Sequence, residues 1–243
     1  GYVSGLKAEG EDVFERFWPQ VRHIVGKDII KPHGVFWPTI LMASGLPVYR
    51  QLRVHGFWTR GESKMSKSLG NVIRPLDVRE RYGIEPFRYF LLREMAYGQD
   101  AMFTEDALVT RINADLANNL GNLVSRVLSM QKRYFAGEVQ PAGVPTDLDR
   151  ELAAAFAAAR EEVPRLTEAM QFHRALERLW SAIDLANKYI VETAPFTLAK
   201  QPEQRPRVGA ILTNLLEVLH ATASLLRWFL PETSARIFAL LQV

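Results

Sequence analysis

The sequence predicts an α/β region followed by an all-α region. Short β-branched runs alternate with Gly and Pro over the first seventy residues, and from Pro75 onward apolar residues recur at helical spacing. The later helices are joined by short connectors containing proline. In order, Val21-Arg22-His23-Ile24-Val25 stops at Gly26 and reads as a buried strand, with Asp28 in the loop beyond it. Residues 32–43 read as a helix packed back on that strand, ending at Ser44-Gly45-Leu46-Pro47. Residues 53–58 read as a second strand. Strand, helix and strand make the βαβ unit of a parallel sheet. Ligands of such sheets sit at the carboxyl ends of the strands, which points to Asp28 and to the loop after Trp58. Asp77 is expected to cap a short helix, residues 86–95 form another, and Thr104 is the N-cap candidate of the next. That helix, 105–135, repeats apolar residues at Leu116, Leu120, Leu123, Val124, Val127 and Leu128. Gly137 and the prolines of 141–145 break it. Helices at 148–171, 172–193 and 206–229, with a short one from Glu232, complete an antiparallel bundle, and the α/β to all-α boundary falls near 105–115.

Composition narrows the classes. Hydrophobic residues are 48% and charged residues 23% of 243, ordinary for a folded chain and unlike a disordered one. The lack of cysteine excludes disulfides, a thiol nucleophile and cysteine-ligated zinc, and fits a reducing compartment. The five histidines form no HExxH or His-x-His pattern, so no metal site is expected. No run of eighteen apolar residues occurs, so a cytoplasmic chain without a membrane partner is expected. Gly1-Tyr2-Val3-Ser4-Gly5 has neither an initiator methionine nor a signal pattern and reads as a cut inside a larger protein. Net charge is +3, but residues 1–75 hold 11 basic against 6 acidic side chains. A polyanion such as ATP or a nucleic acid end would prefer that part. A weakly basic surface with no such partner fits the charge equally well.

Lys64-Met65-Ser66-Lys67-Ser68, followed by Leu69-Gly70-Asn71, is the most informative stretch. Two lysines three apart, among serines and before a glycine, make a cationic loop whose ammonium and main-chain N–H groups can converge on phosphates. In this motif the sequence resembles the class I aminoacyl-tRNA synthetases, whose second signature is the KMSKS loop. Gly26-Lys27-Asp28-Ile29, His33, Phe36-Trp37-Pro38, Gly45-Leu46-Pro47, Val54-His55-Gly56 and Tyr97-Gly98-Gln99-Asp100 narrow the resemblance to the methionyl-tRNA synthetases. It covers the whole chain and is strongest over 20–105. The alternatives are another KMSKS enzyme, of the leucine or cysteine type, or a non-catalytic tRNA-binding protein on a synthetase-like scaffold.

The resemblance implies a layout and a chemistry. Residues 1–74 would be the latter half of a Rossmann-like catalytic domain, 75–110 a connecting α-rich region that contacts the tRNA stem, and 111–243 an anticodon-binding bundle. The HIGH motif of such enzymes is absent here and would lie upstream, as would any zinc-bearing insertion, so this piece alone is expected to be inactive. The family joins methionine to ATP as methionyl-adenylate and passes the methionyl group to tRNA. That in-line displacement needs positioning and charge cancellation more than a proton shuttle. By the match, Lys67 contacts the phosphates with help from Lys64, and Ser66 and Ser68 shape the loop. Asp28 accepts from the ribose hydroxyls, Gly26 allows close approach of the nucleotide, and His55 and Trp58 border the adenosine. Ile29, His33 and Tyr2 line the methionine pocket. Magnesium is expected with ATP.

The resemblance also assigns the bundle to the CAU anticodon of tRNA(Met). Asn118, Asn122 and Arg126 lie at i, i+4 and i+8 on one helical stripe, and such amide and guanidinium groups can read unstacked base edges. A solvated polar helix face fits the same spacing. Ala194-Pro195-Phe196 stands where the family commonly has Ala-Pro-Trp, so Phe196 offers a π-face for stacking without the indole N–H.

Overall fold

The computed structural model describes residues 11–61, 63–65 and 72–241. Two compact units emerge, the first running to Lys64 and taking in Tyr97–Met102, the second formed by Met65–Ala96 and the chain from Phe103 onward. Packing therefore groups residues 75–96 with the bundle. Tyr97–Met102 returns to the α/β unit, so chain order and packing part company there.

In the first unit, α1 (Glu11–Phe17) and a 3-10 turn (Trp18–Gln20) precede β1 (Arg22–Gly26). A 3-10 turn (Lys27–Ile29) and a π-helical turn (Pro32–Phe36) lead into α2 (Trp37–Ala43). β2 (Gln51–His55) then pairs parallel to β1, with Gly26 opposite His55. This is the expected βαβ unit. Its small core joins buried Phe14, Trp18 and Leu41, and the Trp18 indole N–H donates to the Pro47 carbonyl at 2.7 Å.

The expected single strand over 53–58 is instead two strands in two sheets. β2 ends at His55, and β3 (Trp58–Arg60) pairs antiparallel with β4 (Ser63–Lys64) and parallel with β5 (Ala101–Met102). The break has a steric cause. A Cβ on Gly56 would lie 2.1 Å from the Gln99 carbonyl oxygen, so only glycine lets this backbone pass. Trp58 consequently opens a hairpin rather than a loop, and Gly61, at φ +64, takes its turn.

The second unit is helical. α3 (Pro75–Tyr82) has Arg74 as N-cap and Pro75 in its first turn, so Asp77 lies inside that turn and is not the cap. α4 (Ile84–Glu94) follows Gly83, at φ +86. The Thr104 hydroxyl accepts from the Ala107 N–H at 3.1 Å and caps α5 (Glu105–Arg111), as the sequence predicts. The helix continues through a π-helical segment (Ile112–Gly121) into α6 (Asn122–Phe135). α7 (Asp147–Glu168), α8 (Phe172–Thr193), α9 (Pro195–Leu198), α10 (Arg205–Leu226) and α11 (Pro231–Leu241) complete the unit.

One apolar core spans these helices, with Leu123, Val127, Val163, Leu179, Ile183, Leu212, Leu215 and Leu219 fully buried. Residues 202–226 are long and apolar enough to cross a membrane, the one such stretch among the described residues, but most of it is buried inside the bundle. Asp149 is the polar keystone. It accepts from Arg207 at 2.7 and 3.0 Å, from the Tyr189 hydroxyl, from Asn214 at 3.1 Å and from the Thr146 N–H at 2.7 Å, tying α7, α8 and α10 together.

Candidate functional site

In the first unit the parallel strands deliver several expected residues to one place. Gly26 ends β1 beside His55, which ends β2. A Cβ on Gly26 would lie 2.7 Å from Asp28 Oδ1, 3.7 Å from His55 Cε1 and 3.6 Å from Phe57 Cε1. Three side chains therefore crowd against a bare α-carbon, and glycine is what lets the Asp28 carboxylate lie this close to the end of β1. His55 Nδ1 lies 2.8 Å from the Gly56 carbonyl, an acceptor only, so Nδ1 carries a hydrogen and donates it there. Trp58 stands next on β3, and Lys64 on the facing strand β4, opposite Thr59. Ser66, Lys67 and Ser68 lie outside the described residues, as does Tyr2.

A cavity of about 390 Å³ is lined by His23, Pro32, His33, Phe36, Trp37 and Ile40. His33 forms part of the wall of this cavity. Ile29 does not line this cavity, but its carbonyl holds the His33 ring through Nδ1 at 2.9 Å. The Tyr49 hydroxyl donates to the His33 carbonyl at 2.6 Å and fixes the turn. His23 accepts from the Trp37 indole N–H at 3.2 Å, which requires an unprotonated Nε2. Burial, and then the neighbouring His33, lower the His23 pKa, so the ring is kept neutral.

Three residues without an expected role complete the first site. Lys27 Nζ lies 2.6 Å from Asp100 Oδ2 and 5.0 Å from the Phe57 ring centre, and the Phe57 N–H donates to Asp100 Oδ1 at 2.8 Å. Lys27 and Asp100 stand in stretches that carry the family resemblance, but no role falls to either from it, and Phe57 lies between two residues that the sequence does single out, His55 and Trp58.

In the bundle, Asn118 and Asn122 are exposed and Arg126 is half-buried. Asn118 falls in the π-helical segment, so the regular i, i+4, i+8 stripe holds only from Asn122 to Arg126. The Asn122 amide still reaches back to the Asn118 carbonyl at 2.8 Å and keeps the two adjacent. No partner for Arg126 is found among the described residues. The segment is tied to α8 by a ladder of bonds. Trp180 Nε1 donates to the Asp115 carbonyl at 3.3 Å, Asn119 to Asp184 at 2.6 Å, and Asn187 to Asn119 Oδ1 at 2.8 Å. The rungs ascend together, so the two helices run in the same direction. At ~1.5 Å per residue, Arg126 and the last residue of α8, Thr193, are each carried roughly 10 Å beyond the Asn119–Asn187 rung, to the same end of the bundle. α8 stops at Ala194, at φ +42, where Pro195 starts a new short helix and leaves Phe196 47% exposed.

Parallel strands that gather Gly26, Asp28 and His55, a hairpin whose second strand ends at Lys64, and, later in the chain, an up-and-down helical bundle form the combination expected of a class I tRNA synthetase. The family model described as "tRNA synthetases class I (M)" matches residues 1–128, more than half of the chain, and the chain belongs to that family. Among curated relatives, the methionine--tRNA ligase of Caldanaerobacter subterraneus subsp. tengcongensis is 40% identical over 234 residues, 96% of this chain and 37% of that protein. The methionine--tRNA ligase of Bacillus subtilis is 40% identical over 235 residues, 96% of this chain and 35% of that protein. The crystal structure of Mycobacterium tuberculosis methionyl-tRNA synthetase bound by methionyl-adenylate superposes with a TM-score of 0.91 at 38% identity, covering 98% of this chain and 47% of that one. The chain thus spans little more than a third of the length of these curated relatives.

Proposed function

We propose that this chain belongs to an enzyme that activates methionine with ATP and attaches it to tRNA(Met). Residues 1–74 would be the latter half of its Rossmann-like catalytic domain, 75–110 the region along the tRNA stem, and 111–243 the reader of the CAU anticodon. The observation that carries the reading is the convergence of Asp28, His55 and Phe57 on Gly26 at the carboxyl ends of two parallel strands. A nucleotide binds at that position in parallel sheets.

In this reading Asp28 accepts from the ribose hydroxyls, while His55 and Trp58 border the adenosine. Lys64, with Lys67 and the hydroxyls of Ser66 and Ser68, draws charge from the triphosphate as pyrophosphate leaves. A lysine that closes on the phosphates during the reaction favours the transition state over the bound substrate. Magnesium enters with ATP and supplies further charge neutralisation on the phosphate oxygens. Methionine lies in the cavity of His23, His33 and Trp37, near Ile29 and Tyr2. A neutral His23 there suits an uncharged thioether.

Asn118, Asn122, Arg126 and Phe196 would bind the anticodon, the first three by hydrogen bonds to base edges and Phe196 by stacking. The test is amino-acid-dependent pyrophosphate exchange by the full-length protein. Methionine should support exchange, and leucine and cysteine should not. Exchange driven best by leucine or cysteine would replace the substrate assignment, and no exchange with any amino acid would leave only RNA binding.

A further inference from the structure

Asp100 binds three segments of the first unit at once. Its Oδ2 takes a 2.6 Å bond from Lys27, at the carboxyl end of β1. Its Oδ1 takes the Phe57 N–H at 2.8 Å, at the entry to β3. The next residue, Ala101, starts β5 and donates its N–H to the Phe57 carbonyl at 3.0 Å. Lys27 directly precedes Asp28, and β3 bears β4 and Lys64 on its other edge. The absent side chain of Gly56 is what lets residues 97–102 come this close.

We propose that Lys27 and Asp100 form a positioning pair for the nucleotide, holding Asp28 in register with the β3–β4 hairpin that carries Lys64. The proposal rests on the ATP-binding reading of this site and adds two residues that act through others. Both side chains of the pair are nearly half-exposed, at 46% and 43%. An ion pair so open to solvent contributes little to stability, so its removal acts on geometry rather than on folding. The hydrogen bond from Lys27 and then that from the Phe57 N–H hold the Asp100 carboxyl below its ordinary range, so it stays charged at neutral pH. None of Lys27, Phe57 or Asp100 lines the cavity of His23 and His33, and this separates nucleotide effects from amino-acid effects.

The experiment is pyrophosphate exchange by the full-length protein, with KM for ATP and for methionine measured separately. Asp100→Asn and Lys27→Gln should each raise the ATP KM about tenfold and leave the methionine KM within about twofold. The double variant should be no worse than the more impaired single one, because both act through one contact. Asp100→Glu should recover most of the loss. An unchanged ATP KM in both single variants overturns the proposal, as do additive losses or an equal rise in both KM values. If Asp100→Asn does not fold by circular dichroism, Lys27→Gln decides alone. Lys67→Ala separates the two levels. Exchange lost there but intact in the pair variants rejects only the positioning role, whereas exchange that survives Lys67→Ala rejects the ATP reading and the proposal together.

Discussion

Replacing Asp149 by Asn tests how the helical unit is held. The Asp149 side chain is 5% exposed and its Arg207 partner 23%, and the carboxylate also takes bonds from Tyr189, Asn214 and Thr146. An amide keeps the shape but turns an N–H₂ toward these donors and leaves the guanidinium without its counter-charge. Removing one partner of a buried pair costs about 3–5 kcal/mol, so a loss of ~3 kcal/mol is expected, or about 1–1.5 M in urea midpoint. Burial alone would raise the Asp149 pKa, but the bonds from Arg207, Tyr189 and Thr146 outweigh it and hold the carboxyl well below its ordinary range. A depressed folded-state pKa gives stability that is present above the unfolded value, about 3.9, and is lost as pH falls through the folded value. The gap between wild type and Asp149→Asn should therefore be full at pH 7 and should shrink below about pH 4. Urea unfolding followed by circular dichroism at pH 7 and at pH 3 measures both. A midpoint at pH 7 within about 0.3 M of wild type would refute the argument, as would a gap that does not shrink in acid.

Other substitutions probe the sites. Gly26→Ala puts a Cβ 2.7 Å from Asp28 Oδ1 and displaces that carboxylate, so the ATP KM should rise about tenfold with little change in thermal midpoint. Gly56→Ala would set a Cβ 2.1 Å from the Gln99 carbonyl oxygen and must part β3 from β5, costing about 2 kcal/mol or more. Faster amide exchange at Phe57 and Ala101 would show it. Phe196→Ala should weaken binding of a CAU stem-loop roughly tenfold, and that of a stem-loop with another anticodon much less. Equal losses for the two would count against stacking on the anticodon.

The helices were legible because local rules govern them. Apolar spacing outlines 105–135 and the three long helices after it, and Thr104 caps where a threonine before an acidic turn should. What was hidden depends on partners far along the chain. The split at Gly56 comes from Gln99, 43 residues on, and no strand pattern within 53–58 carries that information. The π-helical segment was likewise unseen, since its apolar residues fit 3.6 spacing about as well as a wider turn. Asp77 misled because a carboxylate in the first turn looks the same in sequence whether it caps or not, and Pro75 fixes the start two residues earlier. Gly26 and His55 are singled out by motif resemblance, and Asp28 also by its place after a strand of the βαβ unit, and the parallel pairing explains why the three lie together. Asp100, Asn119 and Asn187 were missed as positioning groups because their bonds span 73 and 68 residues. Thr146-x-x-Asp149 was a readable sign, since that spacing makes a capping box at the start of α7.

The most direct measurement is methionine charging of tRNA(Met) by the full-length protein, with the CAU anticodon intact and with it exchanged for another. One enzyme that both activates methionine and reads CAU through Asn118, Asn122, Arg126 and Phe196 should lose at least about 100-fold in kcat/KM on the exchange, since two lost base contacts of ~1.5 kcal/mol each suffice. Equal charging of both tRNAs would contradict the role given to the bundle, and no charging of either would contradict the account as a whole.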